Sequence, residues 1–331
     1  MLFSPSLVMF TTVLTISVLL LMSSPSLLMC WVALELNTLS FIPLMTEVKN
    51  KLTSESSIKY FLVQTFASVV FVVSSLVTSL GVLTEVLSCV MFLSLAIKLG
   101  AGPFQSWVLS VSDSLPWFPL YLLLTVQKIN PFILVIFLTD SLWSLMLIVV
   151  VVSLITGAVG GLNQTSSRGI LVFSSINHLG WLLTACMLSI NYFYSYFLLY
   201  SFMLIVPSYF LDLWQVNSVN QMNSSFLKTS QRLYLVVGLL SLGGLPPFLG
   251  FLPKWLILQT LLANASWSLC IVMVFTSVIT LYFYLRLSFS GIILATSSSG
   301  ILTPTNGLYQ NSVVGVSLMM TSVGLPLMFI L

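Results

Sequence analysis

The sequence predicts an all-α polytopic membrane protein of about eleven transmembrane helices. They form two inverted five-helix repeats with broken helices, plus one extra C-terminal helix. Three observations carry this. The 331 residues are 58% hydrophobic and 5% charged, against about 25% charged in an ordinary soluble domain. The apolar stretches reach the ~20 residues that a helix needs to cross a bilayer. They are continuously apolar rather than alternating, which argues against a β-barrel. The charges themselves are distributed in a pattern that only a multi-pass chain explains.

In order, the first span is 4–23. The first Lys or Arg is Lys49, so the basic start of a signal or transit peptide is missing and no cleavable leader is expected. The second span, 26–46, carries Trp31-Val32-Ala33-Leu34-Glu35-Leu36-Asn37. Lys49, Lys51 and Lys59 lead into the third, 58–83. The fourth, 86–110, contains Lys98-Leu99-Gly100-Ala101-Gly102-Pro103, and the fifth, 115–138, contains Lys128. Asp140 precedes the sixth, 141–161, whose Gly157 and Gly161 have the spacing that lets two helices approach closely. The seventh, 168–187, begins at Arg168 and holds the single histidine, His178. The eighth is 191–214. The ninth, 233–262, contains Gly243-Gly244-Leu245-Pro246-Pro247 and then Pro253-Lys254. As a straight helix it would run about 45 Å through a core of about 30 Å, so it is expected to break or tilt. The tenth, 266–288, ends beside Arg286, and the eleventh is 312–331. The connections 215–232 and 289–311 are rich in Ser, Asn and Gly and hold no soluble domain. The whole chain, 1–331, is expected to be one transmembrane domain, with repeat one at about 4–138 and repeat two at about 141–288.

Charge placement tests the span count. Lys49, Lys51, Lys59, Arg168, Lys228, Arg232 and Arg286 all fall on the side of the N-terminus, and the other side carries Glu85 and Asp140. Miscounting one central span would scramble this asymmetry. By the positive-inside rule the N-terminus faces the positive-inside compartment.

Four charges sit near the middle of long apolar stretches: Glu35, Lys98, Lys128 and Lys254. A charge at the bilayer centre costs about 2.5–3.5 kcal/mol on insertion scales, and the default reading of such a residue is an ion or proton path. All three cations are lysine, whose compact ammonium gives up its proton on burial far more readily than a guanidinium does. Lys98 precedes a Gly/Pro run and Lys254 follows one. The two runs are five spans apart, in spans that cross in opposite directions. Pro and Gly break hydrogen bonds that hydrocarbon cannot replace, so such breaks line polar cavities. Paired breaks in two halves point to a transporter-like midplane site. By the same offset His178 corresponds to Glu35, and Ser174, Ser175 and Asn177 lie near it. The bland alternatives are a satisfied core histidine, a static Glu35–Lys98 ion pair, and helix breaks that serve packing alone.

Other chemistry is not indicated. Cys30, Cys89, Cys186 and Cys270 are scattered singly and read as small buried hydrophobes. No metal-ligand cluster, phosphate loop or dinucleotide fingerprint occurs, so no cofactor and no directly bound nucleotide are expected. A net charge of +3 with no basic–aromatic cluster does not suggest nucleic acid.

Several segments carry a resemblance: 31–37 through Phe41-Ile42-Pro43-Leu44, Lys59-Tyr60-Phe61-Leu62, Lys98-Leu99-Gly100, Gln127-Lys128-Ile129, Gly160 to Thr165, Ser174 to Trp181, and Leu240 to Phe248 through Pro253-Lys254-Trp255. Together they resemble the subunit 2 family of mitochondrial NADH–ubiquinone oxidoreductase, in an arthropod-type version, over residues 31 to about 286. The resemblance implies an antiporter-like, proton-translocating subunit in the membrane arm of respiratory complex I, in the mitochondrial inner membrane with its N-terminus on the matrix side. Its expected partners are the other membrane-arm subunits and membrane lipids, with electron transfer belonging to other subunits. It implies a proton path through Glu35 and Lys98, then Lys128, then Lys254. A stand-alone cation/proton antiporter is the alternative. The chain departs from the family pattern at Gln105, where a histidine is common, at Val126 and at Gly169.

Overall fold

The computed structural model describes residues 5–47, 50–81, 83–139, 142–219, 221 and 229–293. The expected eleventh span, together with Lys49, Asp140 and Lys228, lies outside these residues. Among the described residues the regular structure is helical, with one isolated bridge between Ser166 and Ser218. The chain divides into two compact units, Met1–Ser153 and Leu154–Leu331.

The first unit holds α1 (Pro5–Ser23), α2 (Leu27–Met45), α3 (Lys51–Ser79), α4 (Thr84–Leu99), α5 (Ser106–Ser112), α6 (Trp117–Leu124) and α7 (Val126–Leu138), and the start of α8 (Trp143–Leu162). Local chemistry sets the helix starts. The Ser26 hydroxyl caps α2 by accepting from the Met29 amide at 3.4 Å. At the head of α3 the Thr53 hydroxyl accepts from the Asn50 amide at 3.3 Å. This helix begins seven residues before the expected 58, because its first two turns are polar. Glu55 and Lys59 pair one turn apart at 2.7 Å on that exposed face, where solvent screens the attraction. The helices α1 and α2, α2 and α3, and α3 and α4 pack in sequence, and α7 packs against α1, α2 and α4. That central position brings the polar first turn of α7 into the unit's interior.

The second unit holds the rest of α8, then α9 (Ser167–Leu188), α10 (Ile190–Leu213), α11 (Thr229–Gly243), α12 (Phe251–Ala263) and α13 (Trp267–Ile293). Every residue of α9 from Gly169 to Cys186 is buried, and the helix packs on α10, α12 and α13. Helix α8 comes unusually close to α9. A Cβ on Gly157 would lie 2.5 Å from the Asn177 amide nitrogen, and one on Gly160 would lie 2.1 Å from the Phe173 ring. The Gly157–Gly161 spacing therefore marks a backbone-to-backbone contact, with Gly161 facing Phe283. Arg286 of α13 ties the end of α8 down. Its guanidinium donates to the Leu162 carbonyl at 2.7 Å and also to the Gln164 carbonyl.

Eight helical segments among the described residues are long and apolar enough to cross a membrane: α1, α2, α3, the α6–α7 stretch Trp117–Leu138, α8, α9, α10 and most of α13. Expected spans four and nine are not single helices. The first is α4, a turn and then α5; the second is α11, a turn and then α12. Each turn opens on a glycine in the left-handed region, Gly100 at φ +68° and Gly244 at φ +79°, where a side chain is strained. A third break was not expected. Thr125 (φ −120°, ψ −78°) separates α6 from α7, with its hydroxyl donating back to the Tyr121 carbonyl at 2.7 Å.

Candidate functional site

In the first unit Lys98 occupies the last turn of α4 and is 5% exposed. The break at Gly100 leaves helix-end carbonyls that need donors. Two side chains supply them: Gln64 Nε2 of α3 donates to the Lys98 carbonyl at 3.3 Å, and Trp107 Nε1 of α5 donates to the Ile97 carbonyl at 3.0 Å. The α5 segment folds so tightly over the turn that a Cβ on Gly100 would meet Val108 Cγ2 at 2.2 Å.

Glu35, on α2, is half-buried. Its carboxylate acts electrostatically on both Lys98 and the Tyr60 hydroxyl. No direct ion pair forms between Glu35 and Lys98: Oε2 and Nζ are both buried with no hydrogen-bond partner among the described residues. The static-clasp alternative is not what the side chains do.

Lys128 lies in the first turn of α7, just after the Thr125 break, and is 5% exposed. Its neighbours on that turn reach different helices. Tyr60 of α3 donates to Gln127 Oε1 at 3.0 Å, and Gln127 Nε2 donates to Asn37 Oδ1 of α2 at 3.2 Å. Asn130 Nδ2 donates to Ser17 Oγ of α1 at 3.3 Å. The Lys128 turn is thus fixed by hydrogen bonds to three helices.

In the second unit Lys254, 6% exposed, sits in the first turn of α12. Its Nζ donates to the Gly243 carbonyl at 3.0 Å, across the turn that interrupts the span. The ammonium also lies 5.7 Å from the centroid of the Trp181 ring, within cation–π range. The turn is packed closely. A Cβ on Gly244 would come within 3.1 Å of Lys254 Cδ and Nζ, and one on Gly250 would strike the Ser241 carbonyl oxygen at 1.7 Å.

His178 shares a 2.9 Å hydrogen bond between Nδ1 and the Tyr196 hydroxyl, and its ring lies 4.8 Å from that of Tyr200. The serines expected around it turn away. The Ser174 and Ser175 hydroxyls bond to carbonyls of their own helix, and Asn177 donates to the Thr276 carbonyl at 3.4 Å. Within this unit the structure links His178 to Tyr196, Tyr196 to Trp181 by ring stacking at 6.4 Å, and Trp181 to Lys254.

Sequence reasoning missed Asn37, Tyr60, Gln127, Trp181 and Tyr196. Two had a readable signal, since Trp181 lies three residues after His178 and Gln127 directly before Lys128. The described residues contain no group of three or more His, Cys, Asp or Glu that could hold a metal, and none of the four cysteines forms a disulfide. Gln105, at the departure from the family pattern, has its buried Oε1 without a hydrogen-bond partner among the described residues.

Residues 24–280 match the family described as NADH:quinone oxidoreductase/Mrp antiporter, transmembrane. The chain is 38% identical over 279 residues to NADH-ubiquinone oxidoreductase chain 2 of Locusta migratoria, covering 82% of this chain and 81% of that one. It is 39% identical over 317 residues to the protein of the same name from Anopheles gambiae, covering 93% and 92%. A chain of respiratory complex I from Thermus thermophilus has a similar fold, with a TM-score of 0.79 at 21% identity, covering 96% of this chain and 77% of that one.

Proposed function

We propose, from the premise that the chain belongs to the NADH:quinone oxidoreductase/Mrp antiporter family and within it to the NADH-ubiquinone oxidoreductase chain 2 proteins, that it is a proton-translocating subunit of the membrane arm of complex I. It moves protons through a buried Glu/Lys chain, while NADH oxidation and quinone reduction are carried out by partner subunits. The observation that carries this reading is the burial of Lys98, Lys128 and Lys254 to 5–6% exposure, each in the turn of helix next to a break. Burying an ammonium costs several kcal/mol unless the group is compensated. Three such groups at helix breaks are expensive as mere fasteners and apt as proton carriers.

The chemistry follows from the side chains. Glu35 sits close enough to act on Lys98 without clasping it, so a change in the charge or position of Glu35 alters how firmly Lys98 holds its proton. Lys128 passes the proton onward in the first unit, and Lys254 with His178 serves the second. Polar atoms buried without a protein partner, such as Glu35 Oε2 and Lys98 Nζ, are the kind that ordered water satisfies, and water supplies the links between carriers. The stretches at about 4–138 and about 141–288 are inferred to be inverted repeats of five spans each, with span eleven extra. The N-terminus is assigned to the matrix face of the mitochondrial inner membrane, from the one-sided basic residues. Neighbouring membrane-arm subunits and lipids cover the exposed apolar helix faces.

Lys98→Met in the assembled complex tests this. The expected result is a fall in protons moved per electron together with coupled NADH–quinone turnover. Unchanged stoichiometry and rate would overturn it. The family also includes Mrp antiporters, which favours a second reading as a stand-alone antiporter. Native electrophoresis separates the two: a very large assembly supports the complex I subunit, and a monomer or homodimer supports the antiporter.

A further inference from the structure

We propose that Trp181 is a positioning residue for Lys254, its indole face and the Gly243 carbonyl together holding the ammonium in a resting place that the neutral amine would leave. This rests on the reading of Lys254 as a proton carrier and adds a residue that reading does not contain.

The geometry defines three sides of the resting place. On one side the Gly243 carbonyl accepts from Nζ at 3.0 Å. On another the Trp181 ring faces the ammonium, 5.7 Å from Nζ to the centroid. On the third, Gly244 offers only hydrogen, because a Cβ there would crowd Cδ and Nζ at 3.1 Å. A lysine ammonium has three protons to donate, and one carbonyl satisfies one of them. The electron-rich ring face is the natural further partner for a desolvated cation.

The identity of the side chain fits this contact better than packing alone. Trp181 is 1% exposed and its Nε1 has no hydrogen-bond partner among the described residues. A buried, unpaired N–H is a standing cost that phenylalanine would avoid while filling much of the same space. Tryptophan offers the strongest π face to a cation, which phenylalanine cannot match. The ring is also held still: it stacks on Tyr196 at an interplanar angle of 11°, and the Tyr196 hydroxyl is bonded to His178.

Attraction to a π face depends on charge. The protonated side chain is held, and the deprotonated amine has little reason to stay over the ring. Trp181 therefore couples the position of Lys254 to its protonation state.

The test uses the assembled complex in inner-membrane vesicles. Trp181→Phe keeps a weaker ring face, and Trp181→Leu and Trp181→Met fill the space without one. Graded loss is expected: a small deficit for Phe, and roughly three- to tenfold lower pumping-coupled turnover for Leu or Met, with assembly comparable to the parent on native gels. Wild-type pumping in assembled Leu or Met variants would overturn the proposal. So would failure of both to assemble alongside a fully active Phe variant, because Trp181 would then serve packing alone. Lys254→Met is measured in parallel. If it pumps normally, the reading of Lys254 as a carrier fails; if it is impaired while Trp181→Leu is not, only the role of Trp181 fails.

Discussion

Tyr60 of α3 donates its hydroxyl proton to Gln127 of α7 at 3.0 Å, one residue before the buried Lys128. The same glutamine donates to Asn37 of α2 at 3.2 Å, so one amide joins three helices around Lys128. Gln127→Leu leaves two interior polar groups without this partner, each costing about 1–3 kcal/mol. The expected outcome is a clear drop in the thermal stability of the assembled complex. Tyr60→Phe removes one bond and should cost about 0.5–1.5 kcal/mol. Thermal denaturation of the two variants side by side checks the ranking.

Glu35→Gln keeps shape and volume while removing the charge that acts on Lys98 and Tyr60. Since Glu35 forms no ion pair with Lys98, assembly should be close to normal. Coupled turnover should fall by about tenfold or more, the scale on which a positioned acid–base group contributes. Native gels with proton-uptake measurements check both halves; a variant that assembles and pumps normally removes Glu35 from the path.

Gly100→Ala places a methyl group 2.2 Å from Val108 Cγ2 in a residue at φ +68°. Left-handed strain in a non-glycine residue alone costs about 1–3 kcal/mol, and the clash adds to it. The variant should accumulate poorly in the assembled complex. Quantifying the complex per unit of membrane protein is the readout.

Gly157→Ala drives a methyl to within 2.5 Å of the Asn177 backbone nitrogen. Backbone cannot rotate aside as a side chain can, so α8 and α9 must separate. Overpacking of this kind costs about 1–3 kcal/mol, read as a lowered melting temperature of the assembled complex.

Arg286→Lys retains the charge but loses the fork that grips the Leu162 and Gln164 carbonyls. Lysine is a poor substitute at a two-pronged site, and each charge-assisted bond contributes about 1.5–3 kcal/mol. The expected result is earlier thermal unfolding and faster proteolysis of the 163–166 loop, measured by limited digestion of membranes.

The sequence makes the helical class and the breaks at Gly100 and Gly244 legible for one reason: scarce charges and Gly/Pro runs are local signals. The break at Thr125 is not legible, because threonine is no helix breaker by itself and the packing of α7 on α1, α2 and α4 is tertiary. The early start of α3 escapes a search for apolar runs, since residues 51–57 are polar and helical at once. The buried lysines stand out by their rarity, yet their partners do not. Lys254 meets Trp181 across 73 positions of sequence, and no periodicity encodes that contact. Serines mislead in the opposite direction. Ser174 and Ser175 look like path residues beside His178, but their hydroxyls are satisfied by their own helix, as serine in apolar helices commonly is.

Gly250 sits so close to the Ser241 carbonyl that an attached carbon would lie 1.7 Å from its oxygen. Every residue other than glycine brings that carbon. Every inherited missense variant at this position therefore forces apart the loop that shapes the Lys254 pocket. Natural populations should carry almost none there.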